Sequence, residues 1–149
     1  MKKWILVIAG AWVFLLLTLW LFEYALMTEE KRVLRRVEEL RLAAETGKMM
    51  KLSDYIASDY RDDYDCDKRG VLGAISGLRR EYPDLSLHIE RASARVKEGE
   101  AEADVRGRAV NRMELIERGD FILSFRKIDK EWKLIRLAKK EKSEGQSPR

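Results

Sequence analysis

Trp4 to Phe22 (WILVIAGAWVFLLLTLWLF) carries no charged residue over nineteen positions. A helix rising about 1.5 Å per residue would make this run roughly 28 Å long, close to the ~30 Å hydrocarbon core of a bilayer. No other stretch of the 149 residues resembles it. Lys2 and Lys3 before it would also suit a signal peptide. However, the run exceeds the roughly 7–15 residues of an h-region, and Glu23-Tyr24-Ala25 lacks the small residues of a cleavage site. The expectation is an uncleaved single span that meets the bilayer through residues 4–22. Trp4, Trp20 and Tyr24 stand near its ends, where amphipathic rings favour the headgroup layer, while Trp12 lies mid-span.

Orientation is contested by the flanks. Lys31, Arg32, Arg35 and Arg36 fall within the ~15–20 residues that the positive-inside rule counts, which favours a cytoplasmic C-terminal domain. The signal-like N-terminus favours export of the domain behind it, and export is the expectation adopted.

Beyond the span the chain is highly charged but balanced, with Lys+Arg 30 against Asp+Glu 26. Interspersed signs indicate a solvated surface, not the one-sided basic footprint of a nucleic-acid binder. Cys66 is the single cysteine, so no intramolecular disulfide forms. The expected divisions are 1–27 for the tail and transmembrane helix, 28–137 for one folded domain, and 138–149 for a disordered charged tail.

Thr28-Glu29-Glu30 reads as an N-cap with acidic residues in the first turn. Val33, Val37, Leu40 and Ala44 come next at helical spacing, with Arg32, Arg35, Glu38, Glu39 and Arg41 on other faces, and Gly47 as the stop. A short helix over Met50–Ser58 precedes a third through Leu72, Ile75 and Leu78, stopped by Pro83. Gly70, Gly73 and Gly77 match neither a P-loop nor a dinucleotide fingerprint, and their expected use is close approach to a neighbouring backbone.

From Leu85 the period becomes two. Leu85, Leu87 and Ile89 alternate with polar residues, and then Ala92, Ala94 and Val96 do so on even numbers. A bulge near Glu90-Arg91 repairs that phase. Glu98-Gly99 is a hairpin turn, and Ala101, Ala103, Val105, Gly107 and Ala109 share the next strand's face. Phe121, Leu123 and Phe125 then turn at Asp129-Lys130 into Trp132 and Leu134. A simple two-residue turn pairs Phe125 with Leu134 and Leu123 with Arg136, which predicts an aromatic-rich inner wall.

Helices ahead of antiparallel strands make the fold class α+β. An amphipathic helix, a short helix leading into LSDYIASDYRDDYD, a helix ending LRREYPDLSLHI and the closing hairpin FILSFRKIDKEWKLIRL resemble the nuclear transport factor 2-like (cystatin-like) superfamily over roughly residues 28–137. The resemblance implies a cone of about three helices on a curved antiparallel sheet, with a pocket between them. The superfamily includes isomerases, dehydratases, ligand binders and dimerisation modules. One inner-membrane assembly factor of type IV secretion systems shares the layout of one span plus a cone.

The resemblance places Asp62 nearest to a catalytic carboxylate, with Tyr55 or Tyr60 as hydrogen-bond donor. Phe125, Trp132, Leu134 and Arg136 would complete a ligand pocket. Arg136 is expected either to pair with an aspartate of the acidic run or to anchor a carboxylate-bearing ligand. His88 alternates with Leu87 and Ile89 and is expected on the surface. Asp63, Asp65 and Asp67 open like an EF-hand loop, but Lys68 and Ala74 occupy the positions of its Gly and Glu. No metal or cofactor is expected.

Two functions are compatible with these features. The first is a membrane-anchored, non-catalytic assembly module of the cell envelope, with an unidentified protein partner and a homodimer through the open sheet face. The second is a small apolar or lipid-like ligand binder, with isomerase or lyase chemistry in the cone. Export predicts that a C-terminal phosphatase reporter is active and a C-terminal fluorescent-protein reporter is dark. The reverse pattern places the domain in the cytoplasm and removes the envelope reading.

Overall fold

The computed structural model of the chain describes residues 2–25 and 27–141. Its elements are α1 (Lys2–Ala25), α2 (Glu29–Thr46), α3 (Met49–Tyr55) and α4 (Lys68–Glu81), then β1 (Leu85–Lys97), β2 (Glu100–Asn111), β3 (Glu114–Ile128) and β4 (Glu131–Lys139). The four strands form one antiparallel sheet in the order β1-β2-β3-β4. Helices precede a meander, as the change of hydrophobic period requires.

α1 contains the whole uncharged run. Over Lys2–Glu23 its mean hydropathy is 2.6 and none of it is buried, so it is long and apolar enough to span a membrane. The Thr18 hydroxyl donates to the carbonyls of Phe14 and Leu15 at 2.9 Å each, which satisfies it within the helix.

α2 begins as its residues dictate. The Thr28 hydroxyl accepts from the Lys31 amide at 3.4 Å, and Gly47 closes the helix at φ 71°. Its buried stripe is Val33, Val37, Leu40 and Ala43. Ala44, expected in that stripe, turns half-exposed beside it. Arg41, expected on the solvent face, instead reaches across to β1.

The sheet contains the expected bulge. Ile89 pairs with Gly107 and Arg91 with Arg106, leaving Glu90 as the extra residue. A second bulge was not legible. Phe125 does face Leu134, but Ser124 faces Arg136 and Leu123 faces Leu137. The extra residue is Ile135, and it sends Arg136 to the outer face. The strand expected from Phe121 starts earlier, at Glu114, because Arg112-Met113 makes a turn without glycine or asparagine. Both residues have positive φ (50° and 72°), as do Asp129 and Lys130 (50° and 67°). These are the backbone angles of a primed hairpin turn, whose twist matches the strands. β4 continues to Lys139, past the expected start of the tail. The rest of that tail from residue 142 lies outside the described residues.

The core divides along α2. Near its start, Val33 and Val37 pack with Ala101, Ala103, Phe125 and Trp132, all buried. The small residues of β2 make room there for α2 and Phe125. Near its end, Leu40 and Ala43 remain buried, and Leu40 and Ala44 also line an apolar space shared with α4 and the sheet.

Glu29 closes the packed end. Its Oε2 accepts from the Trp132 indole at 3.0 Å and the Lys127 ammonium at 3.3 Å, while Oε1 accepts from Arg32 at 2.8 Å. Desolvation pushes the Glu29 pKa up, but the Trp132 and Lys127 hydrogen bonds and the nearby positive charges outweigh it, so the carboxyl titrates below its ordinary 4.5. A depressed folded pKa gives stability that is present above the unfolded pKa and is lost as pH falls through the folded one. Thermal midpoints of the full chain should therefore fall as pH drops below 4.5, and Glu29→Gln should flatten that part of the profile. Superimposable acid limbs would mean that Glu29 contributes nothing.

Candidate functional site: an apolar cavity at the open end of the cone

Between the helices and the sheet lies an apolar cavity of about 340 Å³. α2 contributes Leu40, Arg41 and Ala44, and α3 contributes Leu52. Val71, Ile75 and Leu78 of α4 form the opposite wall. The sheet supplies Leu87 and Ile89 from β1, Gly107 and Ala109 from β2, Phe121 and Leu123 from β3, and Leu134 and Leu137 from β4. Gly107 is tight for a local reason, since a Cβ there would meet the His88 carbonyl at 3.3 Å. Within this lining the ionisable residues are Arg41, His88, Arg108 and Glu117.

Two ion pairs frame the space. Arg41 donates to Glu38 through Nε at 2.9 Å, and to Glu45 and the Leu87 carbonyl at 2.8 and 2.9 Å. Glu45 in turn accepts from the Leu87 amide at 2.9 Å. This clip occupies both polar groups of an edge-strand residue and sets the gap between α2 and β1. The hydrogen bond to Glu38, together with the charges of Glu38 and Glu45, overcomes desolvation and raises the Arg41 pKa. The second pair is Glu117 with Lys139. Lys139 lies against Gly119, where a Cβ would meet its Cε at 3.2 Å.

Of the residues expected at a pocket, Leu134 lines the cavity. Phe125 and Trp132 are fully committed to the packed half of the core, so the aromatic-rich wall becomes an aliphatic one with Phe121 as its ring. Tyr60 is buried, and its hydroxyl donates to Asp62 at 3.1 Å. Burial, and then the Asp62 charge, push the Tyr60 pKa up. Tyr55 is capped by the Arg36 guanidinium, 4.2 Å from the ring centre.

Asp62 is a loop organiser. Its Oδ1 accepts from the amides of Tyr64 and Cys66 at 2.9 and 3.0 Å, and its Oδ2 takes Tyr60. It is not in the cavity lining. The other aspartates of the run are similarly engaged. Asp63 holds Arg136 at 2.6 and 2.7 Å, Asp65 holds Arg61, and Asp67 caps α4 through the Gly70 amide at 2.8 Å. Among the described residues no group of three or more His, Cys, Asp or Glu could hold a metal ion. His88 is exposed, with its ring nitrogen 3.0 Å from the Ser86 hydroxyl.

Sequence alone did not single out Arg41, Glu117 and Lys139 for this site. Glu117 had a legible signal, because it falls in phase with Phe125, Leu123 and Phe121 once the strand is extended backwards. Arg41 had none, since its partner Leu87 lies 46 residues away.

The outer face of the sheet carries cross-strand charge pairs. Arg106 binds Asp120 at 2.8 Å, Arg118 binds Glu90 at 3.0 Å, and Arg126 binds Asp59 at 2.8 Å. The edge of β4 is covered by the loop after α3, where the amides of Ala57 and Arg61 donate to the carbonyls of Leu134 and Ile135 at 2.9 and 3.2 Å.

This geometry is the nuclear transport factor 2-like, or cystatin-like, fold. An NTF2-like protein with a cystatin-like fold from Novosphingobium aromaticivorans superimposes with a TM-score of 0.64 at 17% identity, covering 88% of this chain and 90% of that one. Bdellovibrio bacteriovorus Bd1075 superimposes with 0.66 at 15% identity, and the match covers 76% of this chain but only 40% of Bd1075. A protein provisionally named a scytalone dehydratase, also from N. aromaticivorans, gives 0.62 at 14% identity over 74% of this chain and 83% of that one. No protein-family model and no curated protein sequence matches the chain. The similarity therefore establishes the fold and no activity.

α4 is the loosest wall. It has no fully buried residue, and of the glycines expected to make a close backbone approach, a Cβ at Gly70 would meet the Cys66 and Asp67 side chains at 3.1 and 3.3 Å, while one at Gly73 or Gly77 would meet nothing within 4 Å. Glycine inside a helix costs roughly 0.5–1 kcal/mol relative to alanine. Gly77→Ala should accordingly raise unfolding free energy by about that amount in denaturant titrations. A loss of stability would show that the residue packs against something in solution.

Proposed function

We propose that the chain is a membrane-tethered binding protein whose cone takes up a small apolar ligand. The cavity carries this reading. Its size is within the roughly 300–1,000 Å³ of ligand pockets, and its lining is aliphatic. An apolar ligand seated there would remove the exposed aliphatic lining from water.

Binding without chemistry is the better-supported form. Glu117, His88 and Arg108 are exposed, and Arg41 is committed to Glu38, Glu45 and Leu87. A proton-transfer group inside the cone would need a free side chain there, and Asp62 is occupied by its own loop. The assembly reading, with docking or homodimerisation through the sheet face, draws support from the tether alone. The ion pairs on that face offer partners of opposite charge but little apolar area to bury.

The tether gives the binding reading a physical purpose. Only three residues separate Ala25 from Glu29, so the packed end of the domain stays within about 15 Å of the end of the span. The cavity begins near Val37, about 12 Å further along α2. We place the domain on the exported side of the membrane, where such a binder would act on ligands partitioned into the bilayer surface.

The test uses the full chain in lipid nanodiscs and a neutral apolar fluorophore, N-phenyl-1-naphthylamine. Saturable binding beyond that of empty nanodiscs is expected, and Ala109→Phe, which fills the cavity, should abolish it without altering the circular dichroism. Equal binding by the wild type and the filled variant would sink the reading.

A further inference from the structure

We infer that the ligand is an aliphatic amine, with its hydrocarbon body in the cavity and its ammonium on Glu117; this rests on the binding reading above. The body is deduced from the lining. Its side chains are mainly aliphatic with Phe121 as the ring, His88 and Arg108 are exposed, and the Arg41 donors are engaged, which suits an alkyl chain better than a polar heterocycle.

The head is deduced from Glu117. Register places it opposite Ala109 on the cavity face of β3, in line with Gly119 and Phe121. The binary pattern of that face calls for an apolar residue there, and a departure of this kind marks a functional or a strained position. Glu117 is the carboxylate of the lining, and its bound partner is Lys139, which is not part of the lining. Gly119 holds the lysine stem on the same face. The cavity is therefore closed at this point by a protein ammonium on a carboxylate. An alkylammonium emerging from the cavity can take the place of Lys139 and leave Lys139 to water. A carboxylate head would meet Glu117 first and be repelled. Arg41 offers it no alternative, because its donors are spent on Glu38, Glu45 and the Leu87 carbonyl, and Arg108 alternates with Gly107 and Ala109 to the outer face, where it lies 3.8 Å from Glu90.

A structural role for the pair is also definite. Inward-pointing charges blunt strand edges, and β3 before Phe121 has no β4 residue beside it. The two roles predict different binding data.

The probes are octylammonium, octanol and octanoate, which share one hydrocarbon body. Each displaces the naphthylamine fluorophore from the full chain in nanodiscs. Partition into the nanodisc lipid is the same for every variant and cancels from comparisons between proteins. Relative to octanol, octylammonium should displace about five-fold more effectively from the wild type than from Glu117→Gln, the scale of a half-exposed ion pair. Glu117→Gln should erase that advantage and leave octanol unchanged. Lys139→Ala, which frees Glu117, should increase the octylammonium preference. The inference is overturned if the octylammonium-to-octanol ratio is the same for the wild type and Glu117→Gln, if Glu117→Gln weakens octanoate, or if Lys139→Ala weakens octylammonium. In each of those cases the cavity still binds and the broader reading stands. Should none of the three displace the fluorophore, the inference fails, while saturable fluorophore binding that is lost in Ala109→Phe still upholds the broader reading.

Discussion

Two carboxylates hold α2 against the sheet, and the rest of the domain depends on the line they define. Glu29 grips Trp132 and Lys127 at one end, and Glu45, with Arg41, grips the backbone of Leu87 at the other. Where Val33 and Val37 enter among Ala101, Ala103 and Phe125, the layers touch and water is excluded. Towards Ala44 the polar clip ties α2 to the edge strand, and Leu40 and Ala44 border an apolar cavity whose opposite wall is α4.

Side-chain size on β2 reinforces this. Ala101 and Ala103 lie under α2, so small residues there make contact possible. Gly107 and Ala109 continue the same face beyond the packed core, and there the missing side chains become volume. One alternating pattern therefore builds a core at one end and a pocket at the other. Which outcome occurs is decided by the layer above it, not by the strand.

The bulges have a comparable effect on chemistry. Glu90 as an extra residue lets β1 keep its apolar set on the inner face throughout. Ile135 as an extra residue in β4 brings Leu137 opposite Leu123 and turns Arg136 outwards onto Asp63. Without that insertion an arginine would stand inside the cone beside Leu123. With it, the inner wall remains aliphatic, and the positive charge joins the ion pairs of the outer face.

Much of this protein was determined by its sequence alone. The uncharged run sets α1, because a helix of that length and composition satisfies its own backbone and exposes only apolar side chains. Thr28, Gly47 and Asp67 set helix ends through local hydrogen bonds and φ. The phase change across Glu90 sets a bulge, because a strand cannot rotate its apolar set without one. Each of these is a local constraint, readable from neighbouring residues. The pocket is not local. Trp132 and Phe125 have the composition of pocket walls and become core, while Glu117 and Arg41 have the composition of surface and become the rim. That exchange depends on partners such as Glu29 to Trp132, 103 residues apart, and Arg41 to Leu87, 46 apart. Only tertiary packing brings these partners together, so only the folded structure decides where the layers meet and where they leave room for a ligand.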